Sequence, residues 1–181
     1  MPVVTRAEDA AAAGAPATGG PGRASWDDGS AADQFRVIPA AYLFLRREGQ
    51  VLLQLRAPDV YMGGHWAAGA AGHVEAGESA LAAVVREARE ELGVVVDPAD
   101  VVPLTVQHRG IPHGPALEQR VDFFFAATRW TGTPALQEAD KADDLRWFPL
   151  VRLPAPVVPH EAVVLRDLHD GVVTPYRSFG F

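Results

Sequence analysis

The chain has 181 residues, with 23 acidic and 16 basic side chains that give a formal net charge of −7. This length suits one medium-sized domain with a substantial core, plus a tail. The absence of cysteine excludes disulfides, thiolate metal ligands and cysteine nucleophiles. The acidic balance argues against nucleic-acid polymers, which require a basic face. A phosphorylated small molecule stays compatible, because a bound cation can reverse the local charge.

The sequence shows neither a run of about 20 apolar residues that would cross a membrane nor the apolar centre of an export signal. We therefore expect a cytoplasmic protein that does not bind membranes. Residues 1–34 are rich in alanine, glycine and proline. They are predicted to form a disordered tail, because this composition buries too little apolar surface to offset the entropy of ordering. The predicted domain covers residues 35–181.

Within that domain, two apolar runs, 37–45 and 51–55, predict strands joined as a hairpin at Glu48-Gly49. A loop rich in glycine and alanine is predicted over Tyr61–Gly77. A helix is predicted from Ser79, a good N-cap, to Leu92, just before Gly93 as a left-handed stop. Three strands and a second helix follow at 101–108, 121–128, 145–148 and 160–169. The order β-β-α-β-β-β-α predicts an α/β fold with a mixed sheet covered by two helices.

The first predicted helix carries Glu87, Glu90 and Glu91 within a band of about 100°. Carboxylates this close repel one another, so a helix gains nothing from the cluster in solvent alone. A solvated acidic face, partly neutralised by neighbouring arginines, is the structural alternative. A hard cation such as Mg²⁺ explains the cluster better, because it takes oxygen ligands and leaves room for the phosphate oxygens of a substrate.

The spacing of these glutamates suggests how they are used. Glu87 and Glu91, one turn apart, converge on one ion, while Glu90 reaches a second ion or a water. Arg86 precedes Glu90 by four residues and is placed to orient its carboxylate. A main-chain carbonyl from the preceding turn, at Ala71 or Gly72, is a candidate for a further oxygen ligand.

The segment from Gly72 to Val94, GHVEAGESALAAVVREAREELGV, resembles the signature of the Nudix hydrolases. The signature residues are all present at the required spacing: Gly72, Glu78, Arg86, Glu87, Glu90, Glu91 and Gly93. The resemblance implies an α/β/α sandwich around a mixed sheet. It also implies hydrolysis of a diphosphate linked to another group, with Mg²⁺ or Mn²⁺ as the cofactor.

The resemblance assigns roles to individual residues of the segment. Glu87 and Glu91 are the implied principal metal ligands, and Glu90 is a ligand or the base that acts on water. Arg86 is implied to hold the glutamates in place, and Glu78 to link the turn to the helix.

A second stretch also resembles MutT-like members of that family, in which a Trp-x-Gly-x-Pro turn precedes a glutamate near the metals. Here Trp130, Gly132 and Pro134 precede Glu138 with that spacing. Glu138 is therefore a candidate metal ligand or general base. The alternative is an exposed loop carboxylate.

Four residues are candidates for contacts with the substrate. Trp66 is a candidate for stacking on a base, with core packing as the alternative. His160 and Glu161 lie where MutT-like members read the edge of a base, with helix capping by Glu161 as the alternative. Arg120 either contacts phosphate or balances charge.

We therefore expect magnesium-dependent hydrolysis of a diphosphate bond in a nucleoside diphosphate-linked small molecule, with release of a nucleoside monophosphate. Nucleoside triphosphates, ADP-ribose and nucleotide sugars are the candidate substrates. The alternative is a Nudix-fold sensor that binds a nucleotide derivative without cleaving it, but the complete set of glutamates favours the hydrolase. No nucleic-acid polymer or membrane is expected as a partner, and a homodimer is left open.

Overall fold

The structure is a computed structural model that describes residues 35–115 and 118–181. The predicted tail at residues 1–34 lies outside the described residues. Within them, the chain forms eight strands and two α-helices: β1 (Ile38–Arg47), β2 (Gln50–Arg56), β3 (Trp66–Ala68), β4 (Ala70–His73), α1 (Ala80–Leu92), β5 (Val101–Arg109), β6 (Arg120–Ala127), β7 (Ala142–Pro149), α2 (Pro159–Asp170) and β8 (Tyr176–Phe179). Neither helix is long and apolar enough to span a membrane.

The eight strands form one mixed sheet. Strand β1 pairs with β4 in antiparallel and with β6 in parallel orientation, and β5 joins β6 antiparallel and β8 parallel. Strand β2 carries β3 and β7 on its two sides and meets β1 at the hairpin. Glu48 and Gly49 both have positive φ, 47° and 76°, as a two-residue hairpin turn requires. The predicted mixed sheet and hairpin are confirmed.

Successive side chains of β1 point to opposite faces of the sheet, and one helix packs on each face. One face of β1 belongs to the core cluster that includes α1, and the other face to the cluster that includes α2. The first face carries Ala41, Leu43 and Leu45, and the second carries Ala40, Tyr42 and Phe44. Because both faces are covered, β1 reads in the sequence as a nearly continuous apolar run.

Three strands were not predicted. Strands β3 and β4 lie inside the stretch Tyr61–Gly77, which was predicted to be a loop, and β8 follows the last predicted helix. Alanine and glycine have low intrinsic strand propensity, so β3 and β4 owe their conformation to pairing with β2 and β1. Strand β7 also begins earlier than predicted, at Ala142.

Both ends of α1 are those predicted from the sequence. The side chain of Ser79 accepts a hydrogen bond from the amide of Ala82 at 3.1 Å. Gly93 ends the helix with φ of 67°, and its amide donates to the carbonyls of Ala88 and Arg89. Helix α2 ends in the same way at Gly171, with φ of 70°.

We expect Gly93→Ala to destabilise the protein more than Gly171→Ala. Both substitutions strain a left-handed residue, at a cost of about 1 kcal/mol. At Gly171 the space for a Cβ is open, whereas at Gly93 it lies 2.8 Å from Nε2 of Gln137. Urea unfolding of the two variants measures the difference, and equal losses would show that Gln137 moves aside without cost.

Candidate active site

One cleft gathers most of the residues selected from the sequence. It has a volume of about 510 Å³ and lies where β4, the middle of α1 and the start of α2 come together. Its charged lining residues are Arg56, Glu75, Glu87, Glu91, Arg109, Arg120, Lys141 and Glu161. Tyr42, Tyr61, His73, His160 and Gln54 also line the cleft. The cleft therefore combines carboxylates of both helices with guanidinium groups of the sheet.

The helix α1 presents two of its three clustered glutamates to this cleft. Glu87 and Glu91 both line it. Burial raises the pKa of Glu87, although the hydrogen bond from Arg86 opposes the change. Burial raises the pKa of Glu91 to about 7, against the hydrogen bond that its Oε2 accepts from the amide of Ala71 at 2.8 Å. Two desolvated carboxylates side by side are a place where a bound cation is stabilised.

Glu90 does not join the other two glutamates in the cleft. Its side chain is 53% exposed and accepts a hydrogen bond from Nη1 of Arg86 at 2.9 Å. The same nitrogen of Arg86 donates to Oε1 of Glu87 at 2.7 Å. Glu90 thus lies beside the cleft and contacts the arginine.

Arg86 connects the glycine-rich turn to the helix. Its Nη2 donates to Oε1 of Glu78 at 2.8 Å and to the carbonyl oxygen of His73 at 3.2 Å. Glu78 in turn accepts a hydrogen bond from the amide of Glu75 at 2.8 Å. These contacts and the hydrogen bonds from Arg86 to Glu87 and Glu90 hold one face of α1 against the end of β4.

The glycine at position 72 leaves space for a carboxylate. A Cβ at Gly72 would overlap the carboxylate oxygens of Glu87. Gly72 and Ala71 both line the cleft, and β4 runs directly beside the glutamates of α1. A side chain at position 72 would therefore require the Glu87 carboxylate to move from its place in the cleft.

Two carboxylates of the predicted metal site, Glu87 and Glu91, line the cleft. Among the described residues, no three acidic or histidine side chains converge on one point as metal ligands. Glu87 and Glu91 are nevertheless partly buried oxygen donors with raised pKa values on one wall of the cleft. This donor set suits a hard cation that keeps water and takes further oxygens from its substrate. The residues thus fit Mg²⁺ or Mn²⁺ held by two side chains.

The loop that carries Glu138 is attached to the end of α1. The amide of Gln137 donates to the carbonyl of Glu91 at 3.0 Å, and the amide of Ala135 donates to that of Leu92 at 3.1 Å. Glu138 forms an ion pair with Lys141 at 2.7 Å, and its charge contributes to the raised pKa of Glu91. Glu138 therefore lies near the acidic wall, and Lys141 lies in the cleft itself.

The floor of the cleft contains polar residues of α2. Glu161 is 3% exposed, and its Oε2 accepts a hydrogen bond from the amide of Ala68 at 2.5 Å. Burial raises the pKa of Glu161 to about 8. His160 is also 3% exposed, and burial, followed by nearby arginines, lowers its pKa to about 3. Near pH 7 the histidine is neutral and the glutamic acid is largely protonated.

The structure does not bring Trp66 to the cleft. Trp66 is 9% exposed and packs edge-to-face on Phe148, with 4.6 Å between ring centroids, inside the core cluster of α2. The predicted stacking contact with a substrate is therefore wrong, and the alternative of core packing is correct. The reason is that Trp66 belongs to the unpredicted strand β3, where it is covered from the α2 side.

Several residues of the cleft were not predicted from the sequence. Arg56 ends β2, Tyr42 lies within β1, and Lys141 precedes β7. No motif marks these positions, since each occurs singly in a segment whose pattern indicates only a strand or a loop. Arg120, His160 and Glu161, which the sequence analysis did select, all line the cleft.

The sequence is similar to one protein family and to known proteins within it. A profile of the NUDIX domain matches residues 36–168. The NAD-capped RNA hydrolase NudC of Pseudomonas aeruginosa is 36% identical over 135 residues, which cover 75% of this chain and 44% of that protein. NudC of Stutzerimonas stutzeri is 30% identical over 123 residues, 66% of this chain and 39% of that protein. These matches span less than half the length of either relative.

Two solved structures share the fold. A MutT NUDIX hydrolase from Burkholderia pseudomallei aligns with a TM-score of 0.63 at 28% identity, over 72% of this chain and 97% of that one. A MutT protein from Bacillus halodurans aligns with a TM-score of 0.64 at 24% identity, over 77% of this chain and 87% of that one. The α/β/α sandwich expected from the sequence is confirmed.

We expect the buried Glu161 to make stability depend on pH. Its pKa is about 8 in the folded protein, against an ordinary value of 4.5, so the folded state binds more protons between these values. Stability contributed by this group is therefore lost as pH rises from about 5 to 8, with a slope of at most about 1.4 kcal/mol per pH unit. Glu161→Gln keeps an oxygen for Ala68 and removes the titration.

Urea unfolding from pH 5 to pH 8 measures this contribution. Glu161→Gln should flatten the pH dependence relative to the wild type. Glu118→Gln, at a partly exposed position, is the matched control and should leave it unchanged. An identical slope for the wild type and Glu161→Gln would mean that Glu161 is ionised in the folded protein.

Proposed function

Because the chain belongs to the NUDIX family, we propose that it hydrolyses a diphosphate bond in a nucleoside diphosphate-linked substrate and releases a nucleoside monophosphate. The observation that carries this proposal is the pair of partly buried carboxylates, Glu87 and Glu91, in a cleft that Lys141 also lines. The carboxylates suit the cofactor, and the ammonium group of Lys141 suits the phosphate oxygens of the diphosphate. The proposed cofactor is Mg²⁺, with Mn²⁺ as a substitute.

We assign the cation to Glu87 and Glu91, with a main-chain oxygen of Ala71 or Gly72 as a further candidate ligand. When bound, the cation neutralises charge on the diphosphate and acidifies the attacking water. The proposal requires little covalent chemistry from the protein, since in-line phosphoryl transfer depends on positioning and charge stabilisation.

The remaining carboxylates have separate roles in this proposal. Glu138, near Glu91 and paired with Lys141, is the proposed general base that takes the proton from water. Arg86 is a positioning residue, because it contacts Glu87 directly. Glu90 supports Arg86 from beside the cleft and is the second candidate for the base.

Several classes of nucleotide derivative are candidate substrates. Nucleoside triphosphates, ADP-ribose and nucleotide sugars all contain the required diphosphate. The relative from Pseudomonas aeruginosa is by name a hydrolase of NAD-capped RNA, which favours adding NAD and NAD-capped RNA. This relative therefore does not support the expectation from the sequence that nucleic-acid polymers are excluded. We include NAD and NAD-capped RNA in the tests below.

Glu91→Gln should abolish most hydrolysis while the protein stays folded. The substitution removes a charge from the proposed cation site but keeps the shape of the side chain. We expect a loss of at least about 100-fold in kcat, equivalent to ~2.7 kcal/mol of transition-state stabilisation. The measurement is release of nucleoside monophosphate from a panel of the substrates named above. Glu48→Gln, in the exposed hairpin turn, is the matched control and should be fully active.

Full activity of Glu91→Gln would remove Glu91 from the mechanism. If the wild type cleaves no member of the panel but binds one of them tightly, the sensor function replaces the hydrolase. The two results are distinguished by calorimetry on the same panel.

Removal of divalent cations should stop the reaction. Chelation leaves Glu87 and Glu91 without a counter-ion, so the diphosphate meets two carboxylates directly. We expect activity to disappear in excess chelator and to return on addition of Mg²⁺ or Mn²⁺. Unchanged turnover in chelator would contradict the proposed cofactor, and circular dichroism in chelator checks that the fold persists.

A further inference from the structure

We propose that the cleft contains a second anion subsite, formed by Arg56, Arg109 and Arg120 around His160, which binds a phosphomonoester on the part of the substrate that is not cleaved. The inference rests on the proposed function for the statement that the substrate is a nucleotide derivative. It adds that this derivative carries a phosphate group besides the diphosphate.

The sheet brings two of the arginines together at an energetic cost. Arg109 and Arg120 are direct cross-strand partners at the ends of β5 and β6. Like charges in directly opposite positions destabilise a sheet. Arg56, at the end of β2, lines the same cleft and adds a third guanidinium. Such a concentration of positive charge is relieved when an anion binds between the guanidinium groups.

The acidic residues near these arginines balance them only in part. Asp122 is fully buried and forms an ion pair with Nε of Arg109 at 2.6 Å. Glu118, which is 44% exposed, lies 3.6 Å from Nη2 of Arg120. Arg56 donates through Nε to the uncharged carbonyl of Tyr61 at 2.5 Å. Within the described residues, the terminal nitrogens of Arg56 have no hydrogen-bond partner.

His160 gives a second and independent indication of a ligand. It lines the cleft, is 3% exposed, and its Nε2 has no hydrogen-bond partner among the described residues. A buried polar atom without a partner is costly. Burial first, and then the charges of the three arginines, lower the pKa of His160 to about 3. The imidazole lines the same cleft as the three arginines, stays neutral and can form one hydrogen bond with a ligand.

The proposed subsite is separate from the acidic wall of the cleft. Glu91 contacts the amide of Ala71, whereas Nη1 of Arg120 lies 2.6 Å from Nε2 of His73. Ala71 and His73 are two residues apart on β4, which corresponds to about 7 Å along the strand. The arginines therefore meet the substrate at a different point of the cleft from Glu91, and we assign to them a different group of the substrate.

Binding of matched ligand pairs tests the proposal without any turnover. NADP differs from NAD, and coenzyme A from dephospho-coenzyme A, by a single phosphomonoester. Calorimetry in excess chelator should show that the extra phosphate tightens binding in at least one pair by about tenfold. Arg120→Gln and Arg56→Gln should remove this preference, and Arg120→Lys should restore part of it because it retains the charge.

Arg152→Gln is the matched control, since Arg152 is exposed and lies outside the cleft. It lowers the net charge by the same amount and should keep the preference, with thermal unfolding as the check on folding for every variant. Equal affinities within both pairs, or a preference that survives both cleft substitutions, would overturn the proposal. Tighter binding of UDP-glucuronate than of UDP-glucose, without any preference for the extra phosphate, would also overturn the proposal. That result would mean that the subsite binds a carboxylate. Since no cation is present, a failure of hydrolysis leaves these outcomes unaffected.

Discussion

The guanidinium of Arg86 is the interaction on which the site depends. Glu87, Glu90 and Glu91 lie within little more than one helical turn and repel one another. Arg86 binds two of them, and through Glu78 and the carbonyl of His73 it also ties the helix to the end of β4. The hydrogen bonds of Arg86 thus reduce the repulsion between the glutamates of α1. They also hold the end of β4 against this helix. The absence of a side chain at Gly72 leaves the space that the Glu87 carboxylate occupies beside Arg86.

The cleft is divided electrostatically, and the division follows from the fold. Helix α1 covers one face of the sheet and supplies the carboxylates of Glu87 and Glu91. The ends of β2, β5 and β6 supply guanidinium groups. A molecule with a net charge of −7 therefore contains a local excess of positive charge beside its densest acidic cluster. Net charge alone predicts poor binding of polymers, but it does not describe this cleft.

Much of the fold was predictable because its periodicity is strong. The run at β1 is apolar on both faces, and the structure shows helices on both sides of it. The caps at Ser79 and Gly93 define α1 through local hydrogen bonds and a left-handed residue. Strands β3 and β4 were not predictable, because alanine and glycine acquire strand conformation here only through pairing with β2 and β1. The error at Trp66 has the same origin, since a residue of an unrecognised strand was interpreted as part of a loop.

By itself the sequence determined the family signature, the spacing of the glutamates on α1 and the two ends of that helix, because all three are encoded in local spacing. Only the tertiary structure decided which glutamates enter the cleft and which contacts Arg86 from outside. It also decided that Arg56, Arg109 and Arg120 face the same space. These three arginines come from three strands, and their approach depends on sheet order and register, which no local pattern in the chain records.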